Sequence, residues 1–420
     1  MKKLVTALFC LALFLPAPAA YSAADGPVTI VFWHSYAGAR GEALMRSINA
    51  YNESQNRVVV DPQFQGSHSD IAMKLQAAIV CRDQPHVSML TGSRIKMFAD
   101  AGALTDMTAH FAAGGLDMDY FFRGFTYQVD YGKGVFGVPF GCSTPLFYYN
   151  KDMFREAGLD PERGPANWVE LREYARRLSV PDQVWGYNQP IDAWFYESFI
   201  LQMGAPILNA DETDIGFHGE AGTAPLYLWL EMIEEGSMKA PPGQEYNAFE
   251  QARLDFASGA AAMILNSSGD LAAINVMTPF EVGTDFLPAG TQHGTAGGGA
   301  HLVAPSGNER DMEAIVDFLY FMTRGEIAGK FASETGFIPT SQAAADSEAY
   351  QTFLEEVPNA RAAFEQMQYA VIIPVHEHYS EISFDIMMSE IQRVIFEYPN
   401  YTPEMAVESM SQRTRALLGN

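Results

Sequence analysis

Several short stretches carry side chains able to hold a small polar solute. His34, Ser35 and Tyr36 follow directly on an apolar run from Val28 to Trp33. In open α/β sheets solutes lie beyond the carboxyl ends of strands. An imidazole, a hydroxyl and a phenol at such an end supply hydrogen bonds and one apolar face, which suits a polyol or sugar. Ser143 and Thr144 stand just before Pro145, where ordinary turn chemistry competes with a contact from the floor of a cleft. Asn266-Ser267-Ser268-Gly269 ends a small-residue strand and leads into a helix at Asp270. Exposed N–H groups at a helix start attract anions, although N-capping by Ser268 explains the same serines and the Asp270 charge opposes an anion. Gly297-Gly298-Gly299 removes side chains that would intrude on a solute, or marks a plain loop. No G-x-G-x-x-G opens a helix after a strand there, so it is no nucleotide fingerprint. Trp185, Tyr187, Trp194 and Tyr196 offer flat faces for the C–H side of a polyol, with core packing as the competing role.

Catalytic signatures are missing. There is no Gly-x-Ser-x-Gly elbow and no His-Glu-x-x-His helix, and nothing singles out one carboxylate pair among the many acids. His376-Glu377-His378 holds two imidazoles, but side chains two apart diverge on a helix, and no Cys–His cluster supports them. We expect no enzyme, no metal and no cofactor.

The elements that would position these residues alternate. Val28–Trp33 reads as a strand, 41–53 as a helix, 58–60 as a strand, 71–80 as a helix and 87–90 as a strand, which predicts a mostly parallel α/β sheet. Gly134 to Pro139 forms a Gly-punctuated strand leading to a lobe crossing at Ser143. A second crossing is expected near Val282-Gly283 and a third near Thr335-Gly336-Phe337-Ile338-Pro339. Ala314 to Phe321 reads as a buried helix ending near Gly325. The predicted division is therefore 25–140 and 282–335 in one lobe, and 141–281 and 336–420 in the other.

A chain of 420 residues exceeds what one core usually organises, and 48% hydrophobic residues exclude disorder. Residues 1–24 read as a secretory signal: Lys2 and Lys3, an apolar run from Leu4 to Leu15, then Ser22-Ala23-Ala24. Phe9 before Cys10 speaks against a lipid anchor, so the periplasm is the expected destination. Without Lys2 and Lys3 the balance is 24 basic against 51 acidic residues, a net charge of −27. That balance opposes nucleic acid and anionic membrane as partners, and any anionic solute must be accommodated locally. Cys81 and Cys142 remain, and we expect two small buried thiols rather than a bridge.

From Ser143 to Trp168 the order strand, helix, Gly158 stop, Pro161 and a second helix capped by Asn167 resembles family 1 extracellular solute-binding proteins of ABC importers. Within it the chain is most similar to members that carry sn-glycerol-3-phosphate. Phe32-Trp33-His34-Ser35, Ser143-Thr144-Pro145, Tyr148-Tyr149-Asn150-Lys151-Asp152, Phe256-x-x-Gly259-x-x-Ala262-Met263, Ser267-Ser268-Gly269, Gly298-Gly299-Ala300 and Thr335-Gly336-x-x-Pro339 match in order. The resemblance implies a type II periplasmic-binding-protein fold, two discontinuous lobes hinged around a cleft. It also implies a monomer that delivers sn-glycerol-3-phosphate or a glycerophosphodiester to permease subunits driven by ATPase subunits. It favours Trp194 as the stacking aromatic, and it makes His34, Ser35, Tyr36, Ser143, Thr144, Ser267, Ser268, Gly269, Gly298 and Gly299 candidate contacts. Two places depart from the pattern. Ser69, with Asp70 beside it, stands where those relatives carry an acid, and Pro374 to Ser380 lacks their arginine, leaving Tyr379 there. A missing guanidinium favours the alternative, a neutral mono- or oligosaccharide.

Overall fold

The computed structural model describes residues 26–239, 245–371 and 373–419; the signal-like segment over 1–24 lies outside the described residues. In chain order the strands are β1 (Val28–His34), β2 (Val58–Phe64), β3 (Val87–Thr91), β4 (Val138–Ser143), β5 (Pro145–Asn150), β6 (Tyr187–Asn188), β7 (Met238–Lys239), β8 (Met263–Ser267), β9 (Val282–Asp285), β10 (Thr295–Ala296), β11 (Gly298–Val303) and β12 (Ala370–Val371). They form two five-stranded sheets, ordered β2-β1-β3-β11-β4 and β7-β6-β8-β5-β9, and a small β10-β12 pair.

Both sheets are built alike. Four strands run in one direction, and one reversed strand is inserted: β11 between β3 and β4, and β5 between β8 and β9. Each reversed strand is the first that the chain lays down in its sheet after changing lobes. The parallel order expected of β1, β2 and β3 is found, and each sheet becomes mixed because it takes in one reversed strand that arrives from the other lobe.

The first crossing is a single residue. β4 ends at Ser143 in the first sheet, β5 begins at Pro145 in the second, and Thr144 lies between. Pro145 starts its strand, where its missing N–H costs no ladder bond. The second crossing falls later than expected. Val282–Asp285 pairs with Phe147–Asn150 in the second sheet, so the chain returns only between Asp285 and Gly298. At the third, the Ile338 N–H donates to the Cys142 carbonyl (2.9 Å), stitching the returning chain to the hinge.

Local chemistry explains the elements around the crossing. The Asn150 side chain accepts from the N–H groups of Asp152 and Met153, capping the helix Lys151–Glu156, and Gly158 follows at φ +67°. Asn167 caps the helix Trp168–Leu178 through the Glu170 N–H. The helix expected over 314–321 runs from Met312 to Thr323, and a second helix, Gly325–Thr335, starts where a stop was expected. A core of Ile30, Phe32, Leu44, Val87, Leu302 and Phe318 fills the first lobe. Phe147, Tyr149, Phe195, Trp229, Met263 and Met387 fill the second. Cys81 is exposed and Cys142 buried, both as free thiols, and burial pushes the Cys142 thiol far up. Among the described residues no helix is long and apolar enough to cross a membrane.

Candidate ligand cleft

At the carboxyl end of β1 the chain delivers His34, Ser35 and Tyr36 to three different surroundings. Alternation along the strand puts His34 on the same face as Ile30 and Phe32, so its ring is buried between Phe32 and Phe64 (5.9 Å to each). Burial lowers its pKa, and its Nδ1 meets no protein partner. Ser35 Oγ forms a hydrogen bond with Nδ1 of His68 (3.0 Å). The Tyr36 ring stands edge-on to His68 (6.2 Å) and packs against Phe337 (5.3 Å); its hydroxyl is buried and has no protein partner. Gly141 makes room for that hydroxyl, since a Cβ there would lie 1.9 Å from it.

His68 begins the helix His68–Cys81 and was not singled out by sequence. Burial, and then the guanidinium charges of Arg40 and Arg94, lower its pKa to about 3, so the ring is neutral. Ser69 accepts from Nη2 of Arg94 (3.0 Å). Asp70 is corrected. Its carboxylate accepts from the N–H (2.8 Å) and hydroxyl (2.9 Å) of Ser67 while its own N–H donates to Ser67 Oγ, a reciprocal helix cap that occupies the group.

At the crossing, Ser143 pairs with Gly298 in the ladder, and the Thr144 hydroxyl accepts from Gln366 Nε2 (3.1 Å). The Ser268 N–H donates to the Thr144 carbonyl (2.9 Å), and the Thr144 N–H donates to Ser268 Oγ (3.3 Å). Ser267, not Ser268, is the cap, accepting from the Gly269 N–H (3.2 Å). Gly269 lies flat against Phe337, where a Cβ would meet the ring at 2.6 Å. The helix after it, Leu271–Met277, has only seven residues, and Asp270 sits at its start held by Arg253 (3.0 Å) and Arg40 (3.3 Å). At this helix start the Ser268 and Gly269 N–H groups pair within the protein and a carboxylate already stands there, which weighs against an anion in direct contact.

Gly298 and Gly299 are also explained by packing. A Cβ on Gly298 would strike the Trp194 indole at 2.6 Å, and one on Gly299, at φ +107°, would strike the Gly141 carbonyl oxygen at 2.0 Å. Trp194 opens the helix Ala193–Gln202, is partly exposed, and donates from Nε1 to the Ala296 carbonyl (3.2 Å). The indole therefore spans the strand that returns to the first lobe.

Tyr379 is buried, and its hydroxyl lies beside the Glu197 carboxylate without reaching a partner at hydrogen-bonding geometry. Glu197 is itself buried and accepts from Ser383 Oγ (2.7 Å); burial raises its pKa to about 7. Beside Tyr379, Ser380 Oγ accepts from Nε of Arg94 (3.3 Å). His376 and His378 stay local: the His378 N–H donates to His376 Nδ1, and Glu381 faces His378 at 3.0 Å. Among the described residues no cluster of three metal-ligating side chains occurs.

Contacts link these residues into one band across the hinge: Ser35 with His68, Arg94 with Ser69 and Ser380, Thr144 with Ser268, Gly298 with Ser143 and Trp194, and Glu197 with Ser383 beside Tyr379. His34 is the member held inside a core. Arg94, His68 and Glu197 are what sequence reading missed. Arg94 stands three residues after β3, within the first turn of the helix that follows it, so the same strand-end rule points to it. A separate open cavity of about 410 Å³, lined by Val28, Arg57, His110 and Tyr320, lies where β1 and β2 begin, away from this band.

Two mixed sheets, each completed by a strand from across the hinge, define a two-lobed solute-binding architecture. Residues 37–327 match the bacterial extracellular solute-binding protein family, and the chain belongs to it. It is 26% identical to the sn-glycerol-3-phosphate-binding periplasmic protein of Pectobacterium atrosepticum over 98% of this chain and 95% of that one. It is 28% identical to the protein of the same name in Escherichia coli K12 over 82% and 81%. Among solved structures, UgpB from Mycobacterium tuberculosis with glycerophosphocholine superposes with a TM-score of 0.84 at 23% identity, covering 94% of this chain and 99% of that one. The cyclic α-maltosyl-1,6-maltose-binding protein of Arthrobacter globiformis does so with 0.76 at 24%, covering 94% and 99%. Membership makes this a binding component of an ABC importer rather than an enzyme, in a family that works with permease and ATPase subunits.

Proposed function

We propose that the protein captures sn-glycerol-3-phosphate or a glycerophosphodiester in the periplasm and delivers it, as a monomer, to a membrane permease. The observation that carries this is likeness along nearly the whole chain to relatives named for sn-glycerol-3-phosphate. The band is the contact surface, with Ser35, Tyr36, Ser69, Ser143, Trp194 and Tyr379 touching the solute and the hinge at Thr144 closing the lobes on it. The buried Tyr36 hydroxyl, which meets no protein partner, supports the assignment, because such an atom is costly unless a solute pairs with it. A neutral oligosaccharide is the second reading, favoured by the partly exposed Trp194 indole at the cleft.

Isothermal titration with sn-glycerol-3-phosphate, glycerophosphocholine, maltose and a cyclic maltosaccharide decides between them. Saturable heat from either phosphate is expected; heat from a saccharide alone would replace the first reading by the second. Trp194→Ala should weaken whichever solute binds by about tenfold, or 1.4 kcal/mol.

A further inference from the structure

The helix Ala193–Gln202 reads AWFYESFILQ and carries a single charged residue, Glu197. That side chain is only 2% exposed. Burying a carboxylate is expensive unless a cation pairs with it. Among the described residues no basic side chain does so. Ser383 Oγ donates to the carboxyl (2.7 Å), and the charge that acts on it is that of Asp192, of the same sign. In the empty protein burial meets the cost by holding a proton on, with the pKa raised to about 7. The titratable groups that face Glu197 from other elements are the Tyr379 and Tyr127 phenols, again without a cation. The second-lobe wall thus offers negative charge for which the protein provides no counter-ion.

Aromatic rings gather around that carboxyl. Trp194 stands three residues before Glu197, so indole and carboxyl share one face of the helix. The partly exposed indole lies against Gly298, and a Cβ on the neighbouring Gly297 would stand 3.8 Å from the Tyr127 hydroxyl. Tyr127 and Tyr379 are both near enough to Glu197 for its charge to push their phenols up. Flat rings beside a carboxylate suit a quaternary ammonium group, which is drawn to ring faces and to negative charge and needs no hydrogen bond. No protein group has to give up a partner to receive it. The Tyr127 hydroxyl keeps the Ile373 N–H (3.2 Å), and Glu197 keeps Ser383. Tyr127 also ties the subsite to the hinge. Its neighbour Gln128 pairs through Oε1 with Nε2 of His301 in β11 (2.8 Å), whereas its own ring packs on the second-lobe core. Parting the lobes would lift that ring away and uncover the carboxyl.

Resting on the glycerophosphodiester reading above, we propose that Glu197, with the rings of Trp194, Tyr127 and Tyr379, forms a subsite for a positively charged alcohol group of the solute. The preferred solute is then a glycerophosphodiester whose alcohol carries a quaternary ammonium, rather than the simple phosphate monoester or a diester of a neutral alcohol. Such a solute brings the missing counter-ion with it, and it meets the aromatic wall of the cleft with its charged methyl groups.

Calorimetric titration of the wild type and Glu197→Gln with glycerophosphocholine, glycerophosphoglycerol and maltose tests it. The two diesters share their phosphate and glycerol, so their affinity ratio isolates the alcohol group. The wild type should prefer glycerophosphocholine about tenfold at pH 8 and about threefold at pH 5.5, where the carboxyl is protonated and the ring faces act alone. Glu197→Gln should show roughly the threefold preference at both pH values. At pH 7 glycerophosphocholine should also expel part of a proton from the wild type, read as a binding heat that varies with the ionisation enthalpy of the buffer, whereas glycerophosphoglycerol should expel none. A purely structural Glu197 would move neither the pH dependence of the ratio nor the proton release. Equal wild-type affinity for the two diesters, or an undiminished tenfold preference in folded Glu197→Gln, would overturn the cationic subsite and leave the transport of glycerol phosphates standing. Heat from maltose and from neither diester would overturn both. Should Glu197→Gln fail to fold, the wild type carries the test: a preference that does not change with pH, with no proton release, would overturn the assignment.

Discussion

On the first-lobe wall of the cleft, burial and the charges of Arg40 and Arg94 bring His68 down to about 3; on the second-lobe wall, burial brings Glu197 up to about 7. One physical cause, loss of hydration by the charged form, moves a base and an acid in opposite directions toward the same outcome. Below neutrality both walls present uncharged groups, a neutral imidazole bonded to Ser35 and a protonated carboxyl bonded to Ser383. Fixed charge then comes from the guanidinium groups, which do not titrate in the working range. The difference between the walls is therefore one of pH response, and each wall can be broken separately.

The larger effect is expected at Glu197, whose surroundings include Asp192, Tyr127, Tyr379 and Ser383. Its ordinary value is 4.5 and its folded value about 7. Between these the unfolded chain gives up a proton that the folded protein keeps, so stability falls as pH rises and levels off above about 7. Over that window the loss amounts to about 3 kcal/mol. Glu197→Gln retains an acceptor for Ser383 and removes the titration. Its melting temperature relative to wild type should climb from pH 4.5 to 7.5; a constant difference would mean that Glu197 ionises in the folded protein as it does in water.

At His68 the sign is reversed. Below 6.5 the unfolded chain gains a proton that the folded protein refuses until about pH 3, so stability falls as pH drops through this window. The residue as a whole is only partly buried, which reduces the effect to about 2 kcal/mol between pH 6.5 and 4. His68→Gln should be less stable than wild type at pH 7 for want of the Ser35 contact, and should close that gap as pH falls to 4. Denaturant melts at the two pH values check it, and a gap that widens in acid would show that burial and the charges of Arg40 and Arg94 do not hold His68 neutral.

The same contrast marks how far sequence reading reached. The strand ending at His34 was legible because alternation and the polar triplet after it are local signals, and the crossing at Thr144 because Pro145 marks a strand start. The second crossing was misplaced because Val282 to Asp285 reads as a strand in any sheet; its pairing with β5 is a long-range fact. Gly298 and Gly299 announced close approach, and the protein groups that approach them, an indole and a carbonyl oxygen, come from distant parts of the chain that local sequence does not name. Arg94 and Glu197 stayed hidden for a related reason. A charged residue in a helical pattern reads as a solvated face until the packing of the C-terminal segment over 379–384 buries it.

The smallest expected effect compares two arginines on one carboxylate. Asp270, in the second lobe, is held by Arg253 of its own lobe (3.0 Å) and by Arg40 of the first (3.3 Å). The Arg253 side chain is the more sheltered of the two, so its pairing is screened less by solvent. Arg253→Ala should therefore cost more stability than Arg40→Ala, and a double-mutant cycle of Arg40 with Asp270 should give no more than about 1 kcal/mol. The Arg40 pair exists only while the lobes are together, so its removal should act on closure: ligand release three- to fivefold faster, with association nearly unchanged, for a loss of roughly 1 kcal/mol. Stopped-flow tryptophan fluorescence measures both rates. Slower association with unchanged release would place Arg40 in solute capture rather than in holding the closed cleft.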